Sequence, residues 1–246
     1  MHVIVTGGAS GIGKASALRL SRRMKVSIAD LDMLGASRTV ELIRAQGGEA
    51  QAIECDVSDR ASVFAMADKA RAIFGPIDCL FANAGINRRA CVDDIDEDDW
   101  DLMMNIHVKG MMLAAQAVLP DMLARGKGAI VNTSSDFAVM GVPHNATYVA
   151  AKSAIYSLTK AMACELTSQG VRVNAIGPGP IDTPLLAKGR TAEQHATLLE
   201  KFAKALPMQR MGTPDDVAYV VDFLLSERAS YISGQLVHPN GGQLMW

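Results

Sequence analysis

The chain has 246 residues, of which 49% are apolar and 20% charged, with a formal net charge of −2. That length suits one large α/β domain and buries a core of ordinary density without metals or disulfides. No basic run tracks a phosphate backbone and no apolar run approaches the ~20 residues that span a bilayer, which argues against nucleic-acid and membrane partners.

Short β-branched runs alternate with longer stretches of helical period. Strands are expected at residues 2–6, 25–29, 49–55, 79–82, 129–133, 172–176 and 235–237, and helices at 12–22, 34–46, 60–74, 98–123, 148–168 and 214–225. Near-continuous apolar strands separated by helices predict an α/β fold, a doubly wound parallel sheet of about seven strands with helices on both faces. No linker divides residues 1–246, which read as a single domain. The stretch 184–207 is too long for a plain connection and has helical character, so it is expected to be a substrate lid. The first strand begins at the N-terminus with no secretory pattern before it. The cysteines Cys55, Cys79, Cys91 and Cys164 form no Cys-x-x-Cys pair and read as buried, reduced thiols of a cytoplasmic protein.

Between the first strand and first helix lies Gly7-Gly8-Ala9-Ser10-Gly11-Ile12-Gly13. Glycines let the backbone turn sharply and approach a pyrophosphate, and the helix N-terminus behind them presents free N–H groups. Asp30 ends the second strand, where a carboxylate accepts from ribose hydroxyls and repels a 2′-phosphate. No Lys or Arg follows it in Leu31-Asp32-Met33, and Ser10 is uncharged. This favours NAD over NADP; the alternative is that Asp30 caps its turn.

Tyr148 and Lys152 stand at i, i+4 and share one helical face. A phenol titrates near 10, and a nearby ammonium lowers that value toward a working acid/base. Ser135 follows the fifth strand.

These pieces together resemble the single-domain Rossmann-fold branch of the short-chain dehydrogenase/reductase family over almost the whole chain. Further matching segments are Cys55-Asp56-Val57, Asn83-Ala84-Gly85, Pro178-Gly179 with Thr183, and Asn240-Gly241-Gly242. The resemblance implies that Ser135 polarises the substrate oxygen, Tyr148 passes the proton, and Lys152 lowers the tyrosine pKa and holds the nicotinamide ribose. It implies that Gly7, Ser10, Gly11, Ile12, Gly13, Asp30 and Leu31 hold the dinucleotide, with Asp56 and Val57 by the adenine. Asn83, Ala84 and Gly85 would line its riboses, and Pro178, Gly179, Ile181 and Thr183 would meet the nicotinamide. One departure stands out: the family's active-site Asn, in an Asn-x-x-Gly run, is replaced in His107-Val108-Lys109-Gly110. His107 is therefore expected to take the place of an Asn that holds a relay water, and to add a pH dependence near neutrality; the alternative is a tolerated substitution with little effect on rate.

Substrate contacts are expected from Asn87, Arg88, Asp136, Phe137, Val142, His144, Pro180 and the 185–206 segment. Arg88 suits a substrate anion or a solvated loop. Asp136 suits a substrate hydroxyl or a turn cap. The acidic run 93–101 reads as helix-dipole and solubility charge, and Met103, Met104, Met111 and Met112 read as packing residues. The predicted activity is NAD-dependent interconversion of a secondary alcohol and a ketone, on a polyol, sugar, hydroxy acid or similar small substrate, without metal. The alternatives are an NADP-dependent ketoreductase and a weakly active dinucleotide sensor or scaffold. The family further implies a homo-oligomer, tetramer or dimer, joined through its long helices.

Overall fold

The computed structural model describes residues 1–245. In chain order the elements are β1 (His2–Thr6), α1 (Gly11–Leu20), β2 (Lys25–Asp30), α2 (Met33–Ala45), β3 (Ala50–Glu54), α3 (Arg60–Phe74), β4 (Cys79–Ala82), α4 (Glu97–Met104), α5 (Gly110–Arg125) and β5 (Gly128–Thr133). There follow α6 (Ala146–Leu166), β6 (Val171–Ile176), α7 (Pro184–Ala187), α8 (Ala192–Ala205), α9 (Pro214–Leu224) and β7 (Leu236–Val237). The strands form one parallel sheet of seven in the order β3-β2-β1-β4-β5-β6-β7. The order reverses between β1 and β4, which opens a crevice beyond the carboxyl ends of the central strands.

Alternation along each strand divides the core into two layers. Ile4, Leu80 and Ile130 face α3, α5 and α6, where Val63, Met66, Leu113 and Ile155 meet them. Val3, Val5, Phe81 and Val131 face α1, α2 and α9, meeting Leu20, Ile43, Val221 and Leu224. Burial on both faces explains why these strands read as unbroken apolar runs. Each fully buried side chain of this kind contributes roughly 1.5–3 kcal/mol.

The helix expected over 98–123 departs from the expectation. It is interrupted between α4 and α5 by a π-helical turn, Asn105–Lys109. The extra residue in that turn rotates the helix phase and brings His107 inward, to 2% exposure. Taken together, Glu97–Arg125 is long and apolar enough in composition to cross a membrane, but half of its apolar window is buried inside the protein. Met103 and Met111 are buried as expected of packing residues, whereas Met112 is exposed. The cysteine reading holds for Cys55 and Cys79, which are buried, and fails for Cys91 and Cys164, which are exposed. All four are free thiols.

The amino ends of β5 and β6 are locked by a close turn contact. Gly170 has φ +82, and a Cβ there would stand 1.9 Å from the Gly126 carbonyl oxygen. Gly170→Ala is expected to lower stability by about 1–3 kcal/mol, read as a lower urea midpoint. Because this turn lies at the sheet end away from the crevice, turnover per folded molecule should stay at the wild-type value. An unchanged midpoint would contradict the packing described here.

Candidate active site

The turn after β1 is shaped by close backbone approach. Gly7 and Gly11 take left-handed φ values of 67 and 52. A Cβ at Gly13 would lie 2.0 Å from the Gly7 oxygen, so only glycine fits where the turn folds onto α1. Ser10 caps α1 without a side-chain hydrogen bond and the first turn carries no acid. By contrast, side chains cap α2, α3, α4, α8 and α9. The amino end of α1 therefore keeps N–H donors and dipole available to an anion.

Asp30 accepts from the amides of Ala9 at 2.9 Å and Asp32 at 3.0 Å. Its carboxylate thus fixes the glycine turn and stands beside it, while Leu31 projects into solvent with 63% exposure. Asp56 accepts from the Ser58 amide and hydroxyl at 2.8 and 2.7 Å, and Val57 packs against Gly110. Thr6 Oγ1 accepts from the amides of Asn83 and Ala84, and Asn83 Nδ2 donates to the Gly7 carbonyl at 3.1 Å. The Asn83 side chain is therefore spent on holding the turn, which leaves the backbone of Ala84 and Gly85 as the surface at this point of the crevice.

Ser135, just past the carboxyl end of β5, converges there with Tyr148 and Lys152 of α6. Lys152 Nζ donates to the Thr133 carbonyl at 2.8 Å, and Ser134 Oγ donates back to the Lys152 carbonyl at 2.8 Å. These bonds stitch α6 to β5. They bring Lys152 Nζ to 5.3 Å from the Tyr148 ring centroid, while Ser135, whose Oγ accepts from the Phe137 amide at 3.2 Å, stands near enough to Tyr148 to pull its phenol pKa downward. Phe137 and His107 close the ring edge-on, with centroids 6.0 and 5.6 Å away. Thr133 acts through its carbonyl oxygen, and no side-chain pattern announces such a contact.

The electrostatics differ from the sequence expectation. Burial pushes the Tyr148 phenol up to about 12, against a downward pull from Ser135. Burial pushes the Lys152 ammonium down to about 7. Desolvation is the dominant cause for both groups. His107 is corrected more sharply. Burial, with the Lys152 charge adding to it, pushes the imidazole down to about 3, so it is neutral throughout the neutral range. Its Nε2 lies 2.7 Å from the Ile86 carbonyl oxygen and 3.2 Å from the Ile86 amide nitrogen, so the Ile86 backbone holds the ring by that nitrogen and leaves Nδ1 facing the other way. That Nδ1 is buried without a hydrogen-bond partner among the described residues. His107 also borders a small cavity of about 10 Å³ shared with Thr6, Ala84 and Thr133, room for one water. A Cβ on Gly85 would meet the His107 ring at 2.4 Å, so glycine is required beneath it.

Of the expected substrate contacts, Asp136 is overturned. It has 0% exposure and its Oδ1 lies 2.5 Å from His238 Nδ1. The carboxylate is turned into the protein and tied to the segment after β7, out of reach of a substrate. Arg88 stands 3.6 Å from Asp99, an exposed pair on the cleft rim. Asn87 donates to Asn145 at 3.1 Å, and His144 Nδ1 lies 3.1 Å from Cys91 Sγ. The Pro178 carbonyl accepts from Asp136, Gly179 packs on Asn240, and the Pro180 carbonyl accepts from Gly212.

Ile181 bridges to Gly212, and Thr183 caps α7 while its Cβ approaches Gly11. Residues 184–205 form two helices, α7 and α8, with α8 clasped to the body by His195 and Asp182 at 3.0 Å, a contact the sequence reading missed. Among the described residues no group of His, Cys, Asp or Glu has the arrangement of a metal site.

Residues 7–243 match the family model described as Enoyl-(Acyl carrier protein) reductase. The chain is 38% identical to 2-(S)-hydroxypropyl-CoM dehydrogenase 3 of Xanthobacter autotrophicus, over 98% of this chain and 95% of that protein. It is 38% identical to cis-4-hydroxycyclohexanecarboxylate dehydrogenase of Sinomonas cyclohexanicum, over 97% and 94%. The crystal structure of levodione reductase superposes with a TM-score of 0.94 at 34% identity, over 98% and 96%.

A buried neutral His107 has a consequence for stability. The unfolded ring binds its proton near 6.5, whereas the folded ring refuses it down to about 3. Stability is therefore lost as pH falls through that window, by up to about 1.4 kcal/mol per pH unit. His107→Asn should lose less stability than wild type between pH 6.5 and 4 in urea titrations. Parallel declines would show that the ring is protonated in the fold.

Proposed function

We propose, from the premise that the chain belongs to the short-chain dehydrogenase/reductase family, that it interconverts a secondary alcohol and a ketone with NAD. The family consists of NAD(P)-using oxidoreductases, and the chain is an enzyme acting on CH–OH groups. The observation that carries the finer reading is the convergence of Ser135, Tyr148 and Lys152 at one point beside the crevice.

The residues present fit a dinucleotide. The uncapped amino end of α1 and the turn at Gly7, Gly11 and Gly13 suit its pyrophosphate, with Ser10 and Ile12 alongside. Asp30 keeps lone pairs for the adenosine ribose, and its negative charge disfavours the extra phosphate of NADP. Val57 would border the adenine, Thr183 faces the turn at Gly11 from the other side, and Ile181, bridged to Gly212, would meet the nicotinamide. When bound, the nicotinamide supplies the hydride acceptor or donor.

The chain's own residues then handle the proton. Ser135 donates to the substrate oxygen and keeps it against the Tyr148 hydroxyl. Tyr148 gives or takes the proton of that oxygen. Lys152, held by the Thr133 carbonyl, presents its charge toward the phenol, and a cationic ring nearby would add to that pull. His107, neutral and anchored on Ile86, holds Tyr148 edge-on and offers Nδ1 to a water in the adjoining cavity. It acts by position and hydrogen bonding, not by titration.

Asn87, Phe137, Val142 and His144 would line the substrate side in this reading, a mixture that suits a small hydroxylated or carboxylated substrate such as a polyol, sugar or hydroxy acid. Residues 184–205 would cover it as a lid. A homo-oligomer, dimer or tetramer, in the cytoplasm completes the reading.

NADH formation is to be followed across polyols, sugars, hydroxy acids and secondary alcohols. Turnover with NAD is expected, and Tyr148→Phe should lower kcat by about 10²–10⁴-fold. A panel that turns over equally well with Tyr148→Phe would refute the assignment. Asp30→Ala should shift the kcat/KM ratio of NAD to NADP toward NADP by about tenfold or more. An unchanged ratio would assign Asp30 to the turn alone.

A further inference from the structure

A second pair of reactive side chains lies outside the groups that serve hydride transfer. Cys91 Sγ and His144 Nδ1 are 3.1 Å apart, and both residues are exposed. His144 has φ 60, a left-handed backbone that a residue with a Cβ holds only when its surroundings impose it. They do so here. The His144 carbonyl accepts from the Ala90 amide at 3.2 Å, and Ala90 and Asn145 form a parallel bridge. Asn145 Nδ2 donates to the Pro143 carbonyl at 2.8 Å while Asn87 donates to Asn145 Oδ1 at 3.1 Å. This network fixes the imidazole against the thiol.

The other cysteines are differently placed. Cys55 and Cys79 are buried, and desolvation pushes their thiols up to about 11 and about 12. Cys164 is exposed on α6 but has no hydrogen-bonded imidazole among the described residues. Solvent access and a base in contact therefore coincide at Cys91 alone.

We propose that Cys91, with His144 as its base, is a covalent modification site for α,β-unsaturated carbonyl compounds. As Sγ bonds to the β-carbon, His144 Nδ1 takes the thiol proton and the C=C electron pair moves onto the carbonyl as an enolate. The enolate then takes a proton at the α-carbon from the imidazolium. One S–C bond forms, one C–C π bond breaks, and no external oxidant or reductant is needed. The bridge between Ala90 and Asn145 leads directly into the first turn of α6, which carries Tyr148. An adduct at Cys91 thus stands at the entrance of the catalytic cleft. That last clause rests on the dehydrogenase reading, whereas the chemistry at Cys91 does not.

The test is a timed pulse of N-ethylmaleimide on the full chain, with adducts assigned by peptide mass spectrometry. Cys91 should be labelled about tenfold or more faster than Cys164 in the same molecule, a ratio that requires no variant. His144→Asn, which tolerates the left-handed backbone, should bring Cys91 down to the Cys164 rate. Equal rates in wild type, or an unchanged Cys91 rate in His144→Asn, would overturn the proposal. The adduct should also lower turnover in wild type, and Cys91→Ser should keep turnover and be insensitive. Full activity of a protein labelled at Cys91 would overturn its placement at the entrance. Since labelling needs no substrate, its outcome is independent of whether the hydride-transfer assignment holds.

Discussion

One buried contact organises the site: the Lys152 ammonium on the Thr133 carbonyl, 2.8 Å apart. Lys152 is 2% exposed, and a charge so enclosed persists only when hydrogen-bonded. The bond returns from Ser134 to the Lys152 carbonyl, so the end of β5 and the first turns of α6 behave as one unit. Ser135 and Tyr148 inherit their positions from it. With the sheet buried on both faces, neither element can shift without disturbing the core.

The same burial sets the energetics of the site. Tyr148 and Lys152 are both driven toward their neutral forms, upward and downward respectively. A phenol and an amine that both resist charging form a pair whose protonation state answers to a charge placed beside it. This is a natural arrangement for a proton exchanged only when reactants are in place. His107 completes it from the opposite side. An imidazole neutral around pH 7 adds no competing charge next to Lys152, which a protonated ring would. The π-helical turn that aims it inward is the structural device that permits the residue there.

Much of this was legible in the sequence. The seven strands emerged from β-branched runs, because burial on both faces makes each strand apolar throughout. The glycine turn and the i, i+4 pair of Tyr148 and Lys152 were likewise visible, since local geometry alone dictates them. What escaped depends on long-range contacts or on the environment. Asp136 follows Ser135 in the chain yet faces away into a bond with His238, because it opens the short 3-10 turn Asp136–Ala138 that Ser135 caps. The neutrality of His107 follows from burial produced by a π-helical turn with no residue signature. The support from Thr133 comes through a backbone oxygen. The sequence pattern 98–123 was read as one helix because its apolar spacing continues through the interruption.

The most direct measurement of the central claim is the titration of Lys152 in the intact protein, followed by the NMR shift of its Nζ or Cε with labelled lysine. A buried ammonium held by the Thr133 carbonyl should titrate near 7, well below the ordinary lysine value. Titration near 10.5 would mean that Lys152 is solvated. The stitch between α6 and β5 would then not be the contact on which Ser135 and Tyr148 depend.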